Sequence, residues 1–127
     1  MVDSTMSDFV YSFEKLRVWN DARALHRDVD ETTRRFPRSE LFGFSSQMNR
    51  AAVSVATNLA EGSSRTSRKD QAHFTQISYG SLTELACLAI LATDVELLSK
   101  AREQSFRSQI DAIARQLIAL RQSQLRN

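Results

Sequence analysis

A chain of 127 residues holds one domain around one hydrophobic core and is too short for two ordinary domains. With 25% charged and 42% apolar residues it has the composition of a globular protein, and three glycines with one proline are too few for a strand-and-turn architecture. The net charge of +2, with no run of five or six like charges, permits a nucleic-acid partner without demanding one, and a single cysteine excludes an internal disulfide or a multi-thiolate metal site.

Residues 1–12 (MVDSTMSDFVYS) carry no helical period and read as a flexible N-terminal tail, in which Met6 is an alternative start. Residues 13–127 form the domain. No basic segment followed by an apolar run opens the chain, so a cytoplasmic protein without a signal peptide is expected. The most apolar stretch, Leu85 to Thr93, is too short to span a bilayer and is bounded by Glu84 and Asp94, so no membrane association is expected.

A first helix is expected from about Glu14 to Arg35, with Leu16, Trp19, Leu25, Val29 and Phe36 near one face. Pro37 ends it, because the residue before a proline is pushed out of the helical region. In the connection RSELFGF, Leu41, Phe42 and Phe44 are expected to plug the end of the core. Ser45 or Ser46 is a plausible N-cap for the second helix, and Gly62 is its stop signal. Ser67 then caps a third helix, with Asp70 in its first turn, that can continue to Leu98 or Ser99. A fourth runs from about Glu103 to Leu125, with Ile110, Ile113, Leu117 and Leu120 on one face. Four long helices with short links predict an all-α fold, an antiparallel up-down-up-down four-helix bundle.

Two helices carry a surplus. LTELACLAILATDVELL, Leu82 to Leu98, is apolar on nearly every side, and a helix apolar all round is buried all round. A bundle of four leaves one side of each helix open, so a subunit interface is expected there. Cys87, inside this run, reads as a small hydrophobe. In the second helix, Gln47, Arg50, Ser54, Asn58, Glu61 and Arg65 recur at helical spacing as a polar stripe. The stripe lies between a bundle-facing side (Met48, Ala51, Ala52, Val55, Leu59) and a smaller side (Asn49, Val53, Ala56, Ala60). Asn and Gln both donate and accept, so Gln47, Arg50, Ser54, Asn58 and Glu61 are read as a partly buried network serving assembly. A solvated stripe is the competing reading; a catalytic row lacks a nucleophile–base pair.

The motifs VW at Val18-Trp19, FPRSELFGF, QMNRAAVSVATNLAEG and GSLTEL at Gly80 to Leu85 stand in an order that resembles a four-helix-bundle family. Its members are called 23S rRNA intervening-sequence or S23-like proteins. The chain departs from the family at Ala56, often a proline, and at Asn49, often a cation. The resemblance implies a homopentamer of bundles, related to the accessory variability proteins of diversity-generating retroelements. Those relatives bind nucleic acid and a reverse transcriptase through a basic surface, so self, RNA or DNA, and a reverse transcriptase or other protein are the implied partners.

The chemistry of catalysis is sparse. His26 and His73 are the only histidines; Asp70-x-x-His73 lies at a helix start, where capping accounts for the aspartate. EGSSR lacks the lysine of a phosphate loop. No enzyme activity, metal or cofactor is expected. The candidate phosphate contacts are Arg65, Arg68 and Lys69 between the second and third helices, and Arg115, Arg121 and Arg126 near the C-terminus. Each could equally be a solvated charge or a cation complementing a helix C-terminus.

Overall fold

The computed structural model describes residues 8–126, so the alternative start at Met6 lies outside the described residues. A 3-10 turn, Ser12–Lys15, comes first, closed by Tyr11 N–H donating to the Glu14 carboxylate (2.9 Å). Leu16 is extended, which separates this turn from α1, Arg17–Thr33. Asn20 bridges the break by donating to the carbonyls of Glu14 (2.8 Å) and Leu16 (3.0 Å). Helix α1 is therefore shorter at both ends than its periodicity predicts. Its last turn tightens into bonds from Arg35 and Phe36 back to Thr32 and Thr33, placing Phe36 before Pro37.

A second 3-10 turn, Arg38–Glu40, turns the chain into α2, Phe44–Ser63. Leu41 and Phe42 do not plug the core: the turn aims them outward, and Phe42 is 90% exposed. Phe44 does pack against the core. Gly43, not Ser45 or Ser46, is the N-cap, and the Glu40 carboxylate reaches the Phe44 N–H at 3.5 Å. Ser45 serves instead as a link to α1, its hydroxyl donating to the Thr33 carbonyl (3.4 Å).

Gly62 lies inside the last turn of α2 and is buried. Its role is close approach, since a Cβ placed there would stand 2.9 Å from Phe74 Cβ. Helix α3, Arg68–Asp94, starts at the predicted cap, where Ser67 Oγ accepts from Asp70 N–H (3.0 Å). It ends earlier than Leu98. Glu96 takes a left-handed conformation (φ 63°), while Glu96 N–H returns to Thr93 O (3.0 Å) and Leu97 N–H to Ala92 O (2.9 Å). This pair of bonds is a Schellman stop, built here without its usual glycine. Leu98 then turns back into the core, and Ser99 caps α4, Lys100–Leu125, by accepting from Arg102 N–H (3.1 Å).

The described residues thus form a bundle of four long helices and no strand. Helix α2 packs on α1 and α3, α4 on α3 and α1, and the diagonal pairs make no close backbone contact. The core takes Leu25 and Val29 from α1, Met48 and Val55 from α2, Leu82 and Leu85 from α3, and Phe106, Ile113 and Leu117 from α4. Within each helix these recur three, four or seven residues apart, the spacings that line one side of a helix. Trp19 and Phe36 are only partly buried at its edge. Polar ties cross the seams: Ser78 Oγ donates to Val55 O (2.8 Å), Thr75 Oγ1 to Gln124 Oε1 (2.7 Å), and Gln116 and Gln109 to Asp21 (2.7 Å) and Asp28 (3.0 Å).

Candidate assembly and nucleic-acid surfaces

The polar stripe of α2 divides into two halves. In the lower half, Ser54 and Ser81 share a hydroxyl hydrogen bond (2.7 Å) across the α2–α3 seam. Asn58 donates to the Ser54 carbonyl (2.9 Å) and hydroxyl (3.0 Å). Glu61 pairs with Arg65 (3.1 Å) one turn on, so it does not reach Arg50, and the Arg65 guanidinium lies 4.7 Å from the Phe74 ring centre. In the upper half, Gln47 and Arg50 are exposed, and their side chains bond to no other described residue. They open with Phe42, Ser46, Ser54 and Glu84 onto a groove of about 480 Å³. Arg50 and Glu84 put opposite charges on this groove without closing a bridge.

The smaller side of α2 is split as well. Asn49 turns to α1, donating to Thr33 Oγ1 (2.8 Å) and Ser45 O (2.8 Å), and Ala56 packs against the core. Val53 is the exposed member of this set, at 40%. Helix α3 has exposed apolar residues of its own. The run read as apolar all round is only partly so: Leu82, Leu85, Leu88 and Ala92 face inward, whereas Ile90 and Leu91 are exposed among Thr83, Glu84 and Asp94, with Val95 just past the helix end. Leu91 is 45% exposed, and Cys87 is on the exposed face rather than in the core. Ile90, Leu91 and Val95, close together in sequence at the end of α3, make a short exposed apolar strip, separated from Ile77 by Gly80, Ser81 and Glu84.

The candidate phosphate contacts are only partly brought together. Arg68 donates to the backbone carbonyl of Arg126 (2.6 Å), which fastens the start of α3 to the end of α4. Arg65, Arg68, Lys69 and Arg126 therefore share one end of the bundle, all exposed. Arg121 stands over a turn away along α4, beside Gln76 and Tyr79 of α3. Arg115 is set apart: about 16 Å of helix separates it from Arg126, and it is paired with Asp111 (3.1 Å). Arg107 is tied more tightly, by two bonds to Glu103 (2.9 and 3.2 Å) that raise its pKa further above the ordinary arginine value.

Two features of the described residues were not read from the sequence. Phe9, Tyr11, Phe13 and Trp19 form a ladder of rings with centres 5.3, 5.5 and 4.8 Å apart, closed by Arg23 over Trp19. The period-two alternation in FVYSF is the signal that could have revealed it. The second is a groove of about 700 Å³ at the α1–α2 join, lined by Phe36, Pro37, Leu41 and Phe42. Asn49 Oδ1, on its wall, is buried without a hydrogen-bond partner. Among the described residues no three His, Cys, Asp or Glu side chains gather as metal ligands, and no helix is long and apolar enough to cross a membrane.

The 23S rRNA-intervening sequence protein family matches residues 14–119, which span the stripe, the Arg65–Lys69 turn and all but the end of α4. The chain belongs to this family. Among solved structures, it is similar to a protein of unknown function of the S23 ribosomal protein family from Bacteroides thetaiotaomicron VPI-5482. The TM-score is 0.73 at 20% identity, over 81% of this chain and 96% of that one. At that identity the likeness speaks for the helical bundle. No curated protein sequence matches the chain. The family match ends before Arg121 and Arg126 and begins after Phe9, Tyr11 and Phe13, so the basic end and most of the aromatic ladder extend past the matched region.

Proposed function

We propose that this member of the family is a non-enzymatic homo-oligomer of up-down-up-down bundles, pentameric by resemblance, that holds RNA or DNA as an accessory or scaffold protein. The nucleic-acid reading is carried by the convergence of Arg65, Arg68, Lys69 and Arg126 at one end, drawn together by the Arg68–Arg126 bond. Arg68 and Lys69 form no ion pair with a described carboxylate, so their charge is available to phosphate. Arginine suits this task because its planar fork matches phosphate oxygens. The family description itself names a 23S rRNA intervening sequence.

Assembly is supported by the exposed strip of α3 and the neighbouring groove where Arg50 and Glu84 face without bridging. In a ring, the Arg50–Glu84 groove would be completed by residues of the next copy, with Gln47 at its edge, whereas Ser54 and Asn58 serve the α2–α3 seam within each bundle. Titration of a structured RNA and of duplex DNA at two salt concentrations tests the binding reading. Phosphate contacts predict binding that weakens steeply as salt rises, and no binding to either at low salt removes it.

The strip Ile90, Leu91 and Val95 also favours a second reading, in which the assembly docks a protein, a reverse transcriptase by resemblance, and nucleic acid is incidental. That reading requires a partner recovered after nuclease treatment, and fails if every captured partner is nuclease-sensitive.

A further inference from the structure

The aromatic ladder stands at the same end as the candidate phosphate contacts. Ser12, inside the ladder segment, donates to Ser63 Oγ (3.2 Å) at the end of α2. Ser12 and Arg68 line one groove of about 300 Å³, together with Gln71, Ser123 and Gln124. The N-terminal segment is thereby held across the foot of the bundle beside Arg68. Its rings are not spent on the core: Phe9 is 71% and Tyr11 57% exposed, while Phe13 and Trp19 anchor the ladder behind them. Lys15, one residue past Glu14, adds a cation that no described carboxylate bridges.

Carboxylates at this end are fewer and partly engaged. Glu14 accepts from the Tyr11 N–H and Glu61 holds Arg65, which leaves Asp8 and Asp70 among the described residues. Lys15, Arg68, Lys69 and Arg126 outnumber them. Exposed aromatic rings at the same end as these cations have a specific chemical match. A base offers a flat ring to stack on, and the phosphate next to it offers charge to the arginines and lysines. In a duplex the base faces are already stacked on each other and cannot reach Phe9 or Tyr11.

We infer that Phe9 and Tyr11 form a base-stacking platform that makes this end of the bundle a site for single-stranded nucleic acid, with Lys15, Arg68 and Lys69 holding the adjoining phosphates. The inference rests on the nucleic-acid reading above and narrows it to a strand whose bases are unpaired. Stacking sets the affinity at a given salt, whereas the cations set how fast affinity falls as salt rises. The two contributions are therefore separable by measurement.

The test is fluorescence-anisotropy titration of the whole protein with labelled single-stranded RNA, single-stranded DNA of the same sequence, and the corresponding duplex, each at two salt concentrations. Either single strand should bind at least tenfold tighter than the duplex; the RNA and DNA arms tell which sugar is preferred. The double variant Phe9→Ala with Tyr11→Ala should lose about ten- to a hundredfold in single-strand affinity with an unchanged salt slope. Phe9→Leu with Tyr11→Leu should lose nearly as much, because leucine keeps apolar bulk without a ring face. Phe9→Tyr with Tyr11→Phe should bind as the wild type does. Circular dichroism of each variant checks that the helices remain.

Equal affinity for duplex and single strand, or leucine variants that bind normally, would overturn the inference and leave the broader reading standing. Loss of particle mass in the alanine variant without loss of affinity would reassign the segment to a contact between copies, and overturn it too. Absence of binding by the wild type to all three probes at low salt would remove both.

Discussion

Replacing Gly62 by alanine sets two physical effects against each other, so the sign of the result is informative. Helix propensity alone favours the substitution by about 1 kcal/mol, because glycine inside a helix is the costlier residue. Packing opposes it. The new Cβ would stand 2.9 Å from Phe74 Cβ and 3.5 Å from the Gln71 carbonyl. Phe74 Cβ is fixed to the α3 backbone, so relief requires α2 and α3 to move apart by several tenths of an ångström. Overpacking of this kind costs about 1–3 kcal/mol. The expected balance is a loss of about 1 kcal/mol, read in urea as a lower midpoint with the slope unchanged, and a melting temperature lower by about 3–5 °C. A variant as stable as the wild type, or more so, would refute the assignment of Gly62 to close helix approach.

Other consequences can be checked in the same assays. Glu96→Gly should raise stability by about 1 kcal/mol, since glycine takes the left-handed stop at the end of α3 without the steric cost that glutamate carries. Ser78→Ala should cost about 1 kcal/mol, because Ser78 is fully buried and its hydroxyl donates to the Val55 carbonyl. Leu91→Asp, or Val53→Asp, should dissociate the assembly while circular dichroism stays helical; burying an unpaired carboxylate in an interface costs about 3 kcal/mol or more, over a hundredfold in affinity. Ala56 is unsuited to this test because it packs against the core, and a charge there would unfold the chain instead.

Most of the helical scaffold was legible because it rests on local rules. The Ser67 cap with Asp70 lies where its chemistry predicts, and Leu25, Val29, Ile113 and Leu117 fall on the faces their spacing assigns. The misreadings come from features that local patterns do not carry. Leu41 and Phe42 point outward because a 3-10 turn, invisible to hydrophobic periodicity, sets their direction. The apolar pair Leu97 and Leu98 extended the reading of α3, yet Glu96 in a left-handed conformation ends the helix before them. Gly62 read as a stop signal, whereas its absent side chain makes room for a neighbour 12 residues later, a tertiary fact.

The candidate surfaces were legible as residue types but not as places. Arg65, Arg68 and Lys69 are contiguous enough to be seen as a cluster, but only the fold brings Arg126 to them and leaves Arg115 apart, neutralised by Asp111. The stripe is not one network: in its lower half Ser54 meets Ser81 across the α2–α3 seam with Asn58 bonded to Ser54, contacts within one bundle, and in its upper half Gln47 and Arg50 face a groove. Periodicity placed these residues on one face without telling which neighbour covers each end.

The central claim is that phosphate is held at the end of the bundle where α2, α3 and α4 meet. It is tested most directly by the salt dependence of RNA binding in the wild type and in Arg68→Ala with Lys69→Ala. Two lost phosphate contacts to a single strand should lower the slope of log affinity against log salt by about 1.4. A wild type that binds no RNA at low salt, or a double variant with an unchanged slope, would contradict it.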